Sequence, residues 1–164
     1  MKDDQADAVS PICVDRRGNV FIELRRGDEQ ALLHSCHDAP LTHALIVVEF
    51  QGRFLFVHNT RRREWELAGG IIDSEESPRQ CAVRELAEES GQTVDNAEFR
   101  GLMKFKLRPD DRLEYGALYY ARLEHRQRFT PNAEADRMVF WDLMTDIGNV
   151  AEIDRRLVDL ARRR

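Results

Sequence analysis

The stretch from Gly70 to Gln92 constrains this chain more than any other: Gly-Ile-Ile-Asp-Ser-Glu-Glu-Ser-Pro-Arg-Gln-Cys-Ala-Val-Arg-Glu-Leu-Ala-Glu-Glu-Ser-Gly-Gln. Ser77-Pro78 reads as a helix start, with Ser77 as N-cap and Pro78 at the first helical position, where a missing N–H costs nothing. Gly91 reads as the stop, a residue able to take the left-handed conformation after the last turn. Ala82 and Leu86 lie one turn apart and can face a core. Glu85, Glu88 and Glu89 are related by i, i+3 and i+4, so their carboxylates share one arc bordering that apolar side. They repel one another, and near the helix C-terminus they also meet the unfavourable end of the dipole. A cation removes that cost, and hard oxygen ligands select Mg²⁺, Mn²⁺ or Ca²⁺ over softer metals. Taken alone, the three glutamates read rather as a solvated acidic face, which charge runs usually are.

The wider register resolves that choice. Gly70, Glu76, Arg84, Glu85, Leu86, Glu88, Glu89 and Gly91 fit the signature G-x5-E-x7-R-E-U-x-E-E-x-G-U, where U is bulky and aliphatic. On these residues the chain resembles the Nudix hydrolase family. Gln92 departs from the final U, and Val94 is the nearby apolar substitute. Trp65-Glu66-Leu67-Ala68-Gly69-Gly70 is similar to the W-E-(F/L)-P-G-G entry of MutT-like members, with Ala68 in place of the usual proline. The resemblance implies an α/β Nudix fold, a mixed β-sheet sandwiched between helices. It also implies a Mg²⁺- or Mn²⁺-dependent hydrolase of nucleoside diphosphate-linked compounds. Its metal positions match Glu85, Glu88 and Glu89, with Glu88 and Glu89 as inner ligands and a Gly69 or Gly70 carbonyl as a further one. Glu76 and Arg84 match the pair that ties the helix to its preceding loop, so Gly70, Glu76, Arg84 and Gly91 are assigned structural roles. The general base is left between a box glutamate (Glu85 or Glu88) and Glu134, which lies in a region that supplies it in several MutT-like enzymes.

The entry segment favours a (deoxy)nucleoside triphosphate pyrophosphohydrolase that releases a monophosphate and pyrophosphate. The hairpin preceding residue 41 also resembles the branch that includes triphosphatases of oxidised nucleotides and RNA 5′ ends. Gly70-Ile71-Ile72-Asp73 resembles ADP-ribose and ADP-sugar pyrophosphatases, the alternative activity. A Nudix-like module that binds nucleotide without turnover is a third reading, opposed by the full set of acidic residues.

The rest of the chain supports a single domain over residues 1–164, long enough for a core. Residues 1–10 read as loose and 12–33 as an N-terminal hairpin extension around Arg16-Arg17-Gly18, with Ala31-Leu32-Leu33 as a further short strand. Ala44 to Val48 reads as a strand buried on both faces, and Arg53 to His58 returns as its hairpin partner across Gln51-Gly52. Arg61, Arg62 and Arg63 form a cationic loop. Arg63 first, then Arg61, are expected to contact substrate phosphates, because guanidinium offers a bidentate fork. Strands follow over 97–105 and 113–123, then a polar loop over 130–136 and a strand over 138–141. Val150, Ile153, Leu157 and Leu160 recur at helical spacing and define an amphipathic terminal helix. His34, Cys36 and His37 read as an ordinary loop rather than a metal site. Phe54, Phe56, Trp65, Phe105, Tyr115 and Phe140 are candidates for base stacking, though strand aromatics usually pack.

A net charge of −5 argues against a basic nucleic-acid-binding surface, so no DNA partner is expected. Three scattered cysteines fit a reduced, cytoplasmic setting. Neither a signal peptide nor a membrane span is read. The sequence does not choose between monomer and homodimer.

Overall fold

The computed structural model describes residues 10–164. The expected loose segment over 1–10 falls, Ser10 apart, outside them. The elements run β1 (Cys13–Val14), β2 (Val20–Arg25), α1 (Glu29–Leu33), β3 (Leu41–Phe50), β4 (Arg53–Asn59), β5 (Glu64–Glu66), β6 (Ala68–Ile71), α2 (Pro78–Ser90), β7 (Glu98–Leu107), β8 (Arg112–Arg122), β9 (Ala135–Trp141) and α3 (Glu152–Arg162). All strands join one mixed sheet in the order β1-β2-β7-β8-β3-β4-β5, with β6 on β3 and β9 on β4. The pairing of β3 with β8 is parallel, from Leu41↔Tyr115 to Glu49↔Arg122.

Side-chain alternation along the central strands builds two cores. Ala44, Ile46 and Val48 of β3, Leu55 and Val57 of β4, and Ala117, Tyr119 and Ala121 of β8 face α2 through Cys81, Ala82 and Leu86. Val47, Phe54, Phe56, Leu118 and Tyr120 point the other way, to Ile153, Leu157, Val158 and Ala161 of α3. The result is the expected α/β/α sandwich. The continuous apolar run in β3 exists because both of its faces are covered.

Two expectations need correction and a third, the hairpin, is narrowed. Ala31-Leu32-Leu33 is the end of helix α1, whose N-cap Asp28 accepts a hydrogen bond from Ala31 N at 2.9 Å. A run of three apolar residues carries no period, and the cap decides the conformation. The β3–β4 hairpin pairs only at its tip, Glu49↔Phe54 and Phe50↔Arg53. Beyond the tip β6 takes that edge of β3, from Ile46↔Ala68 to His43↔Ile71, and β5 that edge of β4, from Val57↔Glu66 to Asn59↔Glu64, while β8 and β9 line the outer edges. The polar loop expected over 130–136 ends at Glu134, because β9 already begins at Ala135.

The entry segment forms the short strands β5 and β6, which sequence reading does not separate. Trp65 fastens them to the approach of α3: its backbone N–H donates to Asn149 O at 2.8 Å and its indole N–H to Ile147 O at 2.7 Å. Among the described residues no helix is long and apolar enough to cross a membrane.

Candidate functional site

Helix α2 begins and ends as its sequence dictates. Ser77 Oγ accepts from Gln80 N at 3.1 Å while Gln80 Oε1 accepts from Ser77 N at 2.8 Å, a reciprocal capping box, and Pro78 opens the first turn. Gly91 ends the helix at φ 69°, its N–H donating to Ala87 O at 2.9 Å. These caps fix the phase at which the glutamates emerge. Glu85 packs directly on β6, where a Cβ at Gly70 would overlap its carboxylate. Gly69, at φ +159°, has no room for a side chain against the Ala44 carbonyl. The glycine pair lets the helix and its carboxylates approach the strand closely.

Arg84 organises the surroundings. Its Nη2 and Nε donate to the two oxygens of Glu76 at 2.6 and 3.0 Å. Nη1 donates to Glu85 at 2.9 Å and Glu88 at 3.1 Å, and Nη2 also reaches Ile71 O at 3.2 Å. The Glu76–Arg84 link between helix and loop is thus present. The fork holds the Glu76 carboxyl at about 2, well below the usual range. Beneath it, the buried Cys81 thiol donates to Gly70 O and Ile71 O, both at 3.4 Å, and burial pushes that thiol up to about 12.

The carboxylates that converge are Glu85, Glu89 and Glu134, each offering an oxygen within 4.8 Å of the others. Glu85 and Glu89 are each only 9% exposed, whereas the Glu88 side chain is 55% exposed and turned to Arg84. Glu88 therefore stands at the edge of the group that sequence reading centred on it. Burial first, then Glu85, Glu134 and Glu66, push the Glu89 carboxyl up to about 9. Burial likewise raises Glu85, opposed by Arg84. Glu134 reaches the cluster because Asn132 holds its loop: Asn132 Nδ2 donates to Glu89 O at 3.1 Å while its Oδ1 accepts from Glu134 N at 3.1 Å. The amide thus satisfies a helix-end carbonyl and places the third carboxylate. Nothing in the sequence singles out Asn132.

Beyond β6 a cavity of about 770 Å³ opens on the α3 side of the sheet. Glu66, Gly69 and Gly70 form the wall next to the glutamates, and Leu45, Phe105 and Leu107 give it an apolar surface. Of the six aromatic candidates only Phe105 lines it, and all six are buried. The cationic loop contributes Arg62, which is ion-paired to Glu66, whereas Arg61 and Arg63 are exposed and lie outside the lining. Asp154, in the first turn of α3, accepts from Leu67 N at 2.8 Å, and burial, then Glu66, push its carboxyl up to about 7.

The NUDIX domain family model matches residues 39–161. The chain belongs to the Nudix family. A MutT-like protein of Streptomyces ambofaciens is 36% identical over 59 residues, a stretch covering 36% of this chain and 38% of that relative's length. Among solved structures, the Bacillus subtilis pyrophosphohydrolase BsRppH superposes with a TM-score of 0.68 at 20% identity, covering 92% of each chain. The MutT NUDIX hydrolase of Burkholderia pseudomallei gives 0.64 at 17%, covering 75% of this chain and 98% of that one. The NUDIX domain of Shewanella oneidensis NrtR complexed with ADP ribose gives 0.62 at 21%, covering 84% and 92%.

Within this Nudix fold Gln92, the departure from the signature, is fully buried yet satisfied. Its Nε2 donates to Gln127 O at 2.8 Å and its Oε1 accepts from Gln127 N at 2.9 Å. The polar residue anchors the 127 loop, and Val94 packs on the α2-side core as the apolar substitute.

Proposed function

We propose that this Nudix hydrolase cleaves the anhydride of a nucleoside triphosphate, giving a nucleoside monophosphate and pyrophosphate, with Mg²⁺ or Mn²⁺ as cofactor. The observation that carries this reading is the convergence of Glu85, Glu89 and Glu134 within 4.8 Å beside a cavity of nucleotide size. The donor set fits a hard divalent ion: all oxygen, largely desolvated, and left with mutual repulsion that Arg84 relieves only at Glu85. Glu85 and Glu89 would hold it, with Glu88 and the Gly70 carbonyl as further oxygens at the edge. When bound, the ion neutralises phosphate charge and acidifies water.

The chain's own residues do the rest. Arg84 fixes Glu85 and Glu88 in place. Glu134, on a separate element and open to solvent, takes the proton of the attacking water. The water oxygen forms the new bond to phosphorus while the bridging P–O bond breaks and its electrons leave with pyrophosphate. Arg61 and Arg63 face solvent, where a phosphate projecting from the cavity meets them.

A Mg²⁺-dependent screen of dNTPs, oxidised dNTPs, ADP-ribose and 5′-triphosphate RNA, with product identification, tests the proposal. Monophosphate and pyrophosphate are the expected products. AMP and ribose 5-phosphate from ADP-ribose, without triphosphate turnover, would replace it with the ADP-sugar reading, and binding without any turnover would replace it with the non-catalytic module.

A further inference from the structure

The family match begins at residue 39, yet part of the cavity wall comes from before it: Asp15, Arg16, Arg17 and Asn19 of the β1–β2 turn line the cavity. This turn is preformed. The Asp15 carboxylate accepts from Arg17 N, Asn19 N and Asn19 Nδ2, each at 2.9 Å, and Gly18 takes φ +81°. Asn19 Oδ1 accepts from Arg108 N at 2.9 Å, which pins the turn beyond the end of β7. Its two arginines then reach separate anchors. Arg17 Nη1 meets Glu64 on β5 at 2.8 Å, and the Glu64 side chain is only 7% exposed. Arg16 Nε meets Glu152 at the start of α3 at 2.6 Å.

Each arginine of the wall is paired with a carboxylate. Arg16 pairs with Glu152, Arg17 with Glu64, Arg62 with Glu66 and Arg112 with Glu114. A phosphate entering here would have to displace a carboxylate from every guanidinium it touched. An uncharged ring with polar edges displaces none, gains the apolar surface of Leu45, Phe105 and Leu107, and finds hydrogen-bonding groups at the rim. We infer that the Arg16-Arg17 turn is a specificity-determining wall: latched by Arg17 to Glu64, it encloses the uncharged nucleoside end of the substrate, while the polyphosphate lies at the Glu85–Glu89–Glu134 end. The inference rests on the nucleotide reading of this cavity.

Calorimetry with Mg²⁺ and two probes tests it: a non-hydrolysable dGTP analogue, and inorganic tripolyphosphate, which has no nucleoside. Arg17→Ala should weaken the analogue about tenfold while shifting tripolyphosphate by less than about twofold, and with dGTP as substrate the loss should fall on KM rather than kcat. Removing Arg17 strands a buried carboxylate, so the paired variant Arg17→Gln with Glu64→Gln, which keeps a neutral hydrogen bond, should recover most of the lost affinity. In the wild-type protein, the analogue and not tripolyphosphate should slow amide exchange over residues 15–19. Equal weakening of both probes, unchanged analogue affinity, or exchange that ignores the analogue overturns the inference and leaves the Nudix chemistry standing. A wild-type protein that binds neither probe and hydrolyses no nucleotide overturns both.

Discussion

Glu89 lies one helical turn from Glu85 and meets Glu134 across the gap between α2 and the start of β9, and its own burial, with these two carboxylates beside it, pushes its carboxyl up to about 9. In the unfolded chain the same carboxyl ionises near 4.5. Between these values the folded state holds the extra proton, so without metal this group lowers stability as pH rises across the window. A divalent ion binds the anion, so binding releases that proton and the apparent affinity climbs with pH. The Mg²⁺-induced rise in Tm should therefore be larger near about pH 8.5 than near about pH 6. Glu89→Gln imitates the neutral acid: Tm at neutral pH should change little, while the Mg²⁺ response and turnover disappear. A variant that kept the full Mg²⁺ response would remove Glu89 from the ligand set. Arg84 tests a different link. Arg84→Ala leaves Glu76 without its fork and frees Glu85 and Glu88 from their common donor. Melting should fall by several degrees, with turnover down at least about tenfold. Arg84→Lys should recover little of either, since one ammonium cannot reproduce the planar fork. A drop in turnover with unchanged Tm would make Arg84 chemical rather than structural.

Helix α2 carries two of the three clustered carboxylates, and its ends set their direction. Full burial of Leu86 contributes about 2 kcal/mol, against about 1 kcal/mol for the Ser77 cap, so packing holds the helix while the caps set its phase and extent. Gly91→Ala places a Cβ 2.9 Å from Arg128 O on a backbone at φ +69°, so it should cost more stability than Ser77→Ala, and paired denaturant titrations decide the order. This helix was legible in the sequence from cap to cap because every signal was local: Ser77, Pro78 and Gly91 each act within four residues. Glu85, Glu89 and Glu134 were named from the sequence for the same reason or through the family resemblance. What was not legible depends on distant partners. Ala31–Leu33 became helix because of Asp28, a polar residue that reads equally well as a break. The tip-only β3–β4 pairing follows from β6 and β5 taking the edges that β3 and β4 would otherwise turn to each other, which no local pattern records. Arg62 borders the cavity in place of Arg61 and Arg63 because Glu66, four residues on, draws it there.

The cavity wall gathers the β1–β2 turn, β6, the facing ends of β7 and β8, and the first turn of α3, while the carboxylates beside it come from α2 and the β9 approach. Gly69 and Gly70 belong to both sets: they line the cavity, and Glu85 rests on Gly70. A nucleotide in the cavity would thus bring its phosphates to the same strand that supports the carboxylates. A divalent ion held there weakly by protein oxygens retains several waters, and phosphate oxygens replace some of them. Nucleotide should therefore raise metal affinity, and linkage requires metal to raise nucleotide affinity by the same factor. Metal alone should stabilise the fold only slightly, because its stabilisation follows its own weak affinity, and metal with nucleotide should stabilise it by more than the two separate effects combined. The measurement is titration of a non-hydrolysable nucleotide into the protein in millimolar Mg²⁺ and again in EDTA, followed by the reverse titration of Mg²⁺ with and without the nucleotide. Equal coupling factors in the two directions, each well above one, are expected. Equal nucleotide affinities in Mg²⁺ and EDTA would rule out a metal-bridged site and leave a module that binds nucleotide through the cavity alone.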